Sequence, residues 1–320
     1  MKLSQGRGVF FGEALFRFSA RRGDRLQTAT SLDFHLGGTE LNIAANLVSL
    51  GHPCGWVSVL PEGDSGDLIM ARAQALGVSL KIVRAKGEPG WYLLEPGAAP
   101  RGDRVFSRSA SVLARQEKVD IDWSAMAIGV PYFHTSGVTA GLSESASREV
   151  ERAMNAMKTA GALISYDFNY RKNLWSPEES VARQLPLLEM IDVLFCSGRD
   201  LELHFGERDP KLVFGKSNIQ TLVMSKRAAN EATYAIDVFT REGKASSREL
   251  PVTMLDRIGM GDSMAAGFWA AQHEKFDLQK TADFAAACGA MKATIDGDMA
   301  LLKKGEVLEL LEEGYQAVRR

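Results

Sequence analysis

The residues best suited to chemistry lie near the carboxyl end, in Asp256-Arg257-Ile258-Gly259-Met260-Gly261-Asp262-Ser263, which opens into the helical run 264–271. A glycine-flanked turn entering a helix presents free first-turn amides, and the helix dipole reinforces them, so phosphate oxygens are stabilised there. Gly259 and Gly261 permit backbone conformations and close approach that a Cβ forbids. A carboxylate at the start of this helix is out of place if the site only binds an anion. Beside a phosphate cradle, Asp262 makes sense as a base that takes the proton of an attacking hydroxyl. The catalytic candidates are therefore Asp262 and the backbone of Gly259, Met260 and Gly261. Short glycine patterns are weak signals, and this one alone fits a plain capping aspartate at least as well.

Two upstream elements also carry suitable groups. Gly37-Gly38 opens a helix in which Asn42 stands about one turn in, where its amide can both donate to and accept from a ligand hydroxyl. Taken alone, the glycine pair is more often a tight turn. The run Asp167-Phe168-Asn169-Tyr170-Arg171 follows a strand-like stretch, so Asp167, Asn169 and Arg171 stand at a strand's carboxyl end, where ligands bind in open α/β sheets.

Positioning these groups requires a scaffold, and its pattern is regular. Apolar runs at 55–60, 162–168, 192–197 and 221–225 are too short for free-standing helices and read as buried strands. Between and beyond them lie helical stretches at 39–50, 64–76, 143–160, 178–190, 262–273, 278–295 and 306–317, the third with Ser143 as its N-cap. Alternating strands and helices predict a doubly wound, mostly parallel α/β sheet flanked by helices. Segments 9–20 and 91–108 break the alternation and read as antiparallel strands of a small projecting lid sheet. The expected organisation is one domain over 1–320, with lid segments at about 12–36 and 88–115 inserted in it.

Composition is that of an ordinary globular chain: of 320 residues, 45% are hydrophobic and 24% charged. Lys+Arg 38 against Asp+Glu 40 leaves a net charge of −2, which argues against nucleic acid or an anionic membrane as the main partner. Cys54, Cys196 and Cys288 have no metal or disulfide spacing and read as buried thiols in a reducing compartment. With no signal peptide in the first residues and no run of roughly 20 apolar residues, the expected location is cytoplasmic.

Together the Gly-Gly-x-x-x-Asn helix near the start and the G-x-G-D helix near the end resemble those of the ribokinase-like (PfkB) carbohydrate kinases. Within that family the chain is most similar to the 2-keto-3-deoxygluconate kinases, through five stretches. These are Gly12-Glu13-Ala14-Leu15-Phe16-Arg17-Phe18-Ser19, Gly90-Trp91-Tyr92-Leu93-Leu94-Glu95 and Phe133-His134-Thr135-Ser136-Gly137, then 167–176 (DFNYRKNLWS) and 292–298 (KATIDGD). The resemblance implies ATP-dependent phosphorylation of the terminal hydroxyl of a sugar acid, with Mg2+ and a monovalent cation as helpers. It places Gly37, Gly38, Asn42, Tyr92, Arg108, Arg171 and Asp262 at the sugar. Asn169, Ser197, Ser225, Arg227, Asn230, Gly259, Gly261 and Gly289 fall to the nucleotide, and Asp200 to the metal. It also implies a homodimer paired through the lid sheet. A guanidinium fork suits a substrate carboxylate, although each arginine also fits a surface ion pair.

The chain departs from the family at three places. The threonine usual after the first aspartate of the loop is replaced by Arg257, a cation in reach of a nucleotide phosphate. The N-x-x-E metal element appears as Ser197-Gly198-Arg199-Asp200, with a carboxylate one methylene shorter. The glycine-rich nucleotide segment is replaced by 224–231 (MSKRAANE), leaving Ser225, Arg227 and Asn230 as substitutes. Another sugar as substrate, or a sugar sensor without catalysis, are the rival readings at this level.

Overall fold

Strands buried on both faces must be apolar throughout, and successive side chains then serve opposite layers. The computed structural model describes residues 6–97, 101–108, 110–227 and 232–314, without side-chain environments for 106–108 and 227. In spatial order its large sheet runs β13 (Lys244–Ser246), β12 (Thr233–Thr240), β11 (Thr221–Arg227), β10 (Val193–Ser197), β9 (Leu163–Asp167), β8 (Tyr132–Ser136), β1 (Val9–Phe11), β4 (Gly55–Pro61) and β5 (Ser79–Ala85). A further strand, β14 (Leu250–Pro251), pairs with β12. Every neighbouring pair from β11 through β5 is parallel, and only the β12 edge is antiparallel. Phe10, Trp56, Tyr132 and Phe195 face one helical layer; Phe11, Val57, Phe133 and Leu194 face the other.

The helix Met260–His273 packs with Leu278–Lys292 in the first layer, both buried nearly all round. Trp269 on the former stacks against Tyr132 of β8, with ring centroids 3.9 Å and planes 4° apart. The second half of this helix is thereby fixed against the sheet. Ser143 does cap the helix Glu144–Thr159, accepting from the Ala146 amide at 3.1 Å.

Two expectations change. Segment 9–20 is split: Val9–Phe11 is central to the large sheet, and only β2 (Leu15–Ser19) enters the small one, in the order β3 (Asp33–Gly37), β2, β6 (Gly90–Glu95), β7 (Arg104–Arg108). The pair β2 and β6 is parallel, although β2/β3 and β6/β7 are antiparallel hairpins. Both β2 and β6 leave the carboxyl edge of the large sheet, after β1 and β5, and so run the same way. The stretch 178–190 is a helix only over Pro177–Gln184 and then tightens to a 3-10 turn, Leu185–Glu189, because Pro186 cannot donate to a helical hydrogen bond.

Strand order turns around between β1 and β8, since the chain proceeds outward from β1 through β4 to β5 and then restarts at β8. Crossover segments diverge there and leave a crevice at the carboxyl ends.

Candidate active site

Gly259 is the N-cap of the helix Met260–His273, with φ 82 in the left-handed region, and no side chain caps its first turn. A Cβ at Gly259 would stand 2.0 Å from the Asp298 carbonyl oxygen, so backbone conformation and packing both demand glycine. Gly261 differs: its φ is not positive, and an added Cβ would meet no protein atom within 4 Å. The space above Gly261 is open, as a cradle for a phosphoryl group requires.

Asp262 follows in the same turn and is 8% exposed. Asn42, from the helix Thr39–Ser49, donates its side-chain amide to Asp262 Oδ2 at 2.7 Å, while Oδ1 takes no hydrogen bond from a described residue. Burial pushes the carboxyl up to about 6, against the opposing pull of the Asn42 hydrogen bond and the charges of Arg171 and Lys292. A carboxylate titrating there is ionised at neutral pH yet basic enough to accept a hydroxyl proton.

At the carboxyl ends of β9 and β10 stand two more acids. Asp167 accepts the Asn169 amide at 3.1 Å, and Asn169 itself has φ 37. Burial raises the Asp167 carboxyl well above the usual range, with the charges of Asp200 and Asp262 adding to the rise. Asp200 Oδ2 accepts from both the amide and the hydroxyl of Ser197 at 2.7 Å, closing a capping box on the helix Gly198–Phe205. Its Oδ1 is 3.4 Å from the Tyr170 amide. Arg171 is exposed and in no ion pair among the described residues, yet its charge is felt by both Asp167 and Asp262.

A buried ionic cluster supports the loop from the other side. Leu15, Tyr92 and Leu94, on one face of the small sheet, pack with Ile258 of the loop. From that same face Arg17, fully buried, reaches Asp256 Oδ2 at 2.7 Å and Asp298 Oδ2 at 3.3 Å. Asp256 also accepts the Ile258 amide at 2.9 Å and the Gly297 amide at 3.0 Å. The Arg17 and Lys292 charges hold Asp256 below the usual carboxylate range against its burial. Asp298, next to Gly37, is pushed up by burial to about 7. Tyr92 is buried close to Arg17 and Asp298, and its hydroxyl is raised by burial. Glu40 is sealed under the crevice, where the Ser136 and Thr139 hydroxyls donate to Oε1 at 2.6 and 2.8 Å. Burial pushes it up to about 8.

A glycine-framed anion loop with a free carboxylate oxygen, opposite a Gly-Gly helix and under a small sheet, is an arrangement for moving a phosphoryl group onto an alcohol. The model of the pfkB family of carbohydrate kinases matches residues 7–304. This chain belongs to that family. A 2-dehydro-3-deoxygalactonokinase of Haloferax volcanii is 29% identical, over 98% of this chain and 98% of its own. A 2-dehydro-3-deoxygluconokinase of Thermoproteus tenax is also 29% identical, over 95% and 94%. The crystal structure of a 2-dehydro-3-deoxygluconokinase from Thermotoga maritima superposes with a TM-score of 0.91 at 30% identity, covering 97% of this chain and 99% of its own.

In this pfkB kinase Asn42, on the helix capped by Gly38, bonds to Asp262, which follows the backbone of Gly259, Met260 and Gly261; the charge of Arg171 acts on Asp262, and Gly37 lies against Asp298. Ser197 lies beside it, with its hydroxyl occupied by Asp200, and pairs in register with Ser225 of β11. Gly289 is buried within its helix, where an added Cβ would stand 2.6 Å from the Tyr234 ring; what is visible there is packing. Arg257 pairs with Asp103 at 3.1 Å and so ties the loop to the small sheet. Asn230 lies outside the described residues, as do the side chains of Arg108 and Arg227. Cys54, Cys196 and Cys288 are buried free thiols. No described helix is long and apolar enough to cross a membrane.

The sequence pattern assigns no role to Arg17, Glu40, Lys292 or Asp298, and for Asp167 only a place at a strand's carboxyl end. Arg17 had a visible signal, since an arginine between Phe16 and Phe18 in an otherwise apolar strand must either face solvent or meet a buried acid. Lys292 and Asp298 lie within 292–298 (KATIDGD), a stretch whose charges meet Asp256 and Arg17, distant in sequence, only in the fold.

Proposed function

We propose that this kinase transfers the γ-phosphoryl group of ATP to the terminal hydroxyl of 2-keto-3-deoxygluconate, giving the 6-phosphate and ADP. Asp262 carries the reading: Oδ2 is fixed by Asn42 at 2.7 Å, Oδ1 is left for a substrate hydroxyl, and the charge of Arg171 lies close by. Asp262 takes the hydroxyl proton as the oxygen attacks in line. The amides of residues 259–262 stabilise the charge spreading over the phosphoryl oxygens, typically the largest catalytic contribution. Arg171 holds the substrate carboxylate, with Tyr92 and Arg108 from the small sheet completing the sugar pocket. Ser225, Arg227 and Asn230 serve the nucleotide phosphates in place of the missing glycines.

The charges of Asp200 and Asp262 both act on Asp167 across the crevice, which suits a divalent cation held mainly by water and phosphate. The described residues contain no cluster of three metal-ligating side chains, so direct protein ligation is sparse. Magnesium bound there would neutralise the β- and γ-phosphates, with Asp167 and Asp200 orienting its waters. The small sheet, whose strand β7 exposes Val105, is the surface through which two copies would pair; light scattering in solution tests this against a monomer.

An ADP-release assay over 2-keto-3-deoxygluconate, its galactonate epimer, fructose and ribose decides the substrate. The expected result is a kcat/KM for the gluconate-derived acid at least ~10-fold above the uncharged sugars, a typical margin for a site built around one charged contact. Preference for fructose or ribose overturns the assignment, and preference for the epimer corrects it at C4 only.

A further inference from the structure

Lys292 ends the helix Leu278–Lys292 and is fully buried. Its ammonium donates to the carbonyl oxygens of Ile295 at 2.7 Å and Asp256 at 3.3 Å. Asp256 opens the anion loop, and Gly259, at the start of the loop's helix, is so close that an added Cβ would stand 3.3 Å from Lys292 Cε. The lysine's charge reaches the carboxyls of Asp256, Asp298 and Asp262. Burial lowers its own pKa, while Asp256 and Asp298 counteract that and favour the charged form.

An ammonium in such a place is hard to explain as packing. A methionine fills a similar volume without desolvating a charge, and buried charges survive only when paired and hydrogen-bonded. Convergent peptide carbonyls are, moreover, the way proteins hold a dehydrated alkali cation. Here the carbonyls come from two loops that meet beneath the phosphate cradle, one carrying Asp262 and the other Asp298.

We propose that Lys292 is a built-in cation of this active site, a positioning residue whose ammonium stands where a free monovalent cation would otherwise bind beneath the anion loop. It holds the Asp256 carbonyl so that the amides of residues 259–262 face the transferring phosphoryl group. The catalysed reaction then needs neither potassium nor sodium. The kinetic part rests on the phosphoryl-transfer reading above; the occupancy part does not.

Occupancy is read from crystals of the unmodified protein grown in rubidium chloride, by anomalous scattering. No rubidium between the carbonyls of Asp256 and Ile295 is the expected result; a rubidium ion bound to both overturns the proposal. In kinetics with 2-keto-3-deoxygluconate, kcat in potassium, sodium and tetramethylammonium chloride at equal ionic strength should agree within about twofold. A potassium requirement of roughly tenfold or more overturns it. Lys292→Ala should lower kcat by about 100-fold, the scale of a lost charge-stabilising group, with the sugar KM little changed. Added methylammonium should recover at least ~10-fold of that loss and tetramethylammonium none. A folded Lys292→Ala protein that is active without rescue, or inactive and unrescued, counts against the assignment. If the variant does not fold, the rubidium and salt measurements on the unmodified protein decide alone. Failure of every sugar to accept phosphate removes the substrate reading and leaves the rubidium result to judge Lys292.

Discussion

Asp262 is where the chemistry concentrates, and its surroundings set what a substitution does. Asp262→Asn keeps the shape and the contact to Asn42 but removes the proton acceptor. Turnover should fall by about 10²- to 10⁴-fold, the usual range for a general base, while sugar binding measured by calorimetry stays near the unmodified value. An Asn variant with ordinary turnover would sink the base assignment. The carboxyl, raised by burial to about 6, must be ionised to act, so kcat/KM should rise with pH through that value and level off above it. A flat profile from pH 5 to 8 would show that no group titrating there is needed. The type and place of this residue were readable from Gly-x-Gly-Asp before a helix; its elevated pKa was not, since that comes from burial in the fold, against the downward pull of Asn42, 220 positions away.

The element that presents Asp262 is a loop whose two glycines serve different ends, and substitution separates them. Gly259→Ala places a Cβ 2.0 Å from a backbone oxygen at φ 82, so it should lower both stability and activity. Gly261→Ala meets no protein atom, so its melting temperature should stay within a degree or two of the unmodified protein, a surface-type effect. Activity should nevertheless drop, because the methyl group enters the space meant for phosphate; full activity in Gly261→Ala would mean that the phosphoryl group lies elsewhere. The loop is also clamped to the small sheet by Arg17, whose loss leaves Asp256 and Asp298 without their buried partner. Arg17→Met should cost about 3–5 kcal/mol in chemical denaturation, the range for one half of a buried ion pair. The strands at 55–60, 162–168, 192–197 and 221–225 could be read from apolar runs because burial on both faces leaves a local mark, whereas the same reading misses β5, β8 and β12 and assigns β1 to the lid. This clamp left none, since Arg17 and Asp256 are 239 positions apart and meet only when the anion loop packs against the face of the small sheet that carries Arg17.

For the molecule as a whole, buried titratable groups set opposing slopes of stability against pH. All five histidines have lowered pKa values, chiefly through burial, with His134 at about 3 and His273 at about 4. The unfolded chain takes up protons near 6.5 that the folded chain refuses, so stability falls as pH drops below that value. Glu40 acts the other way. Its carboxyl ionises near 4.5 when unfolded but only at about 8 when folded, so the folded state holds a proton the unfolded state has lost. Stability therefore declines as pH rises between those two values and levels above the upper one. Once the unfolded histidines have also lost their protons, above about pH 7.5, the melting temperature should fall with rising pH up to about 8. Glu40→Gln keeps an acceptor for the Ser136 and Thr139 hydroxyls and cannot ionise. Its melting temperature should still fall over that window, since Asp298, at about 7, and Asp167 hold protons the unfolded chain has lost, but less steeply, and its advantage over the unmodified protein should grow up to about pH 8 and then stop growing. A variant that is destabilised equally at every pH would show that Glu40 is held ionised in the fold, and that the crevice between β1 and β8 tolerates a full charge beneath Asp262.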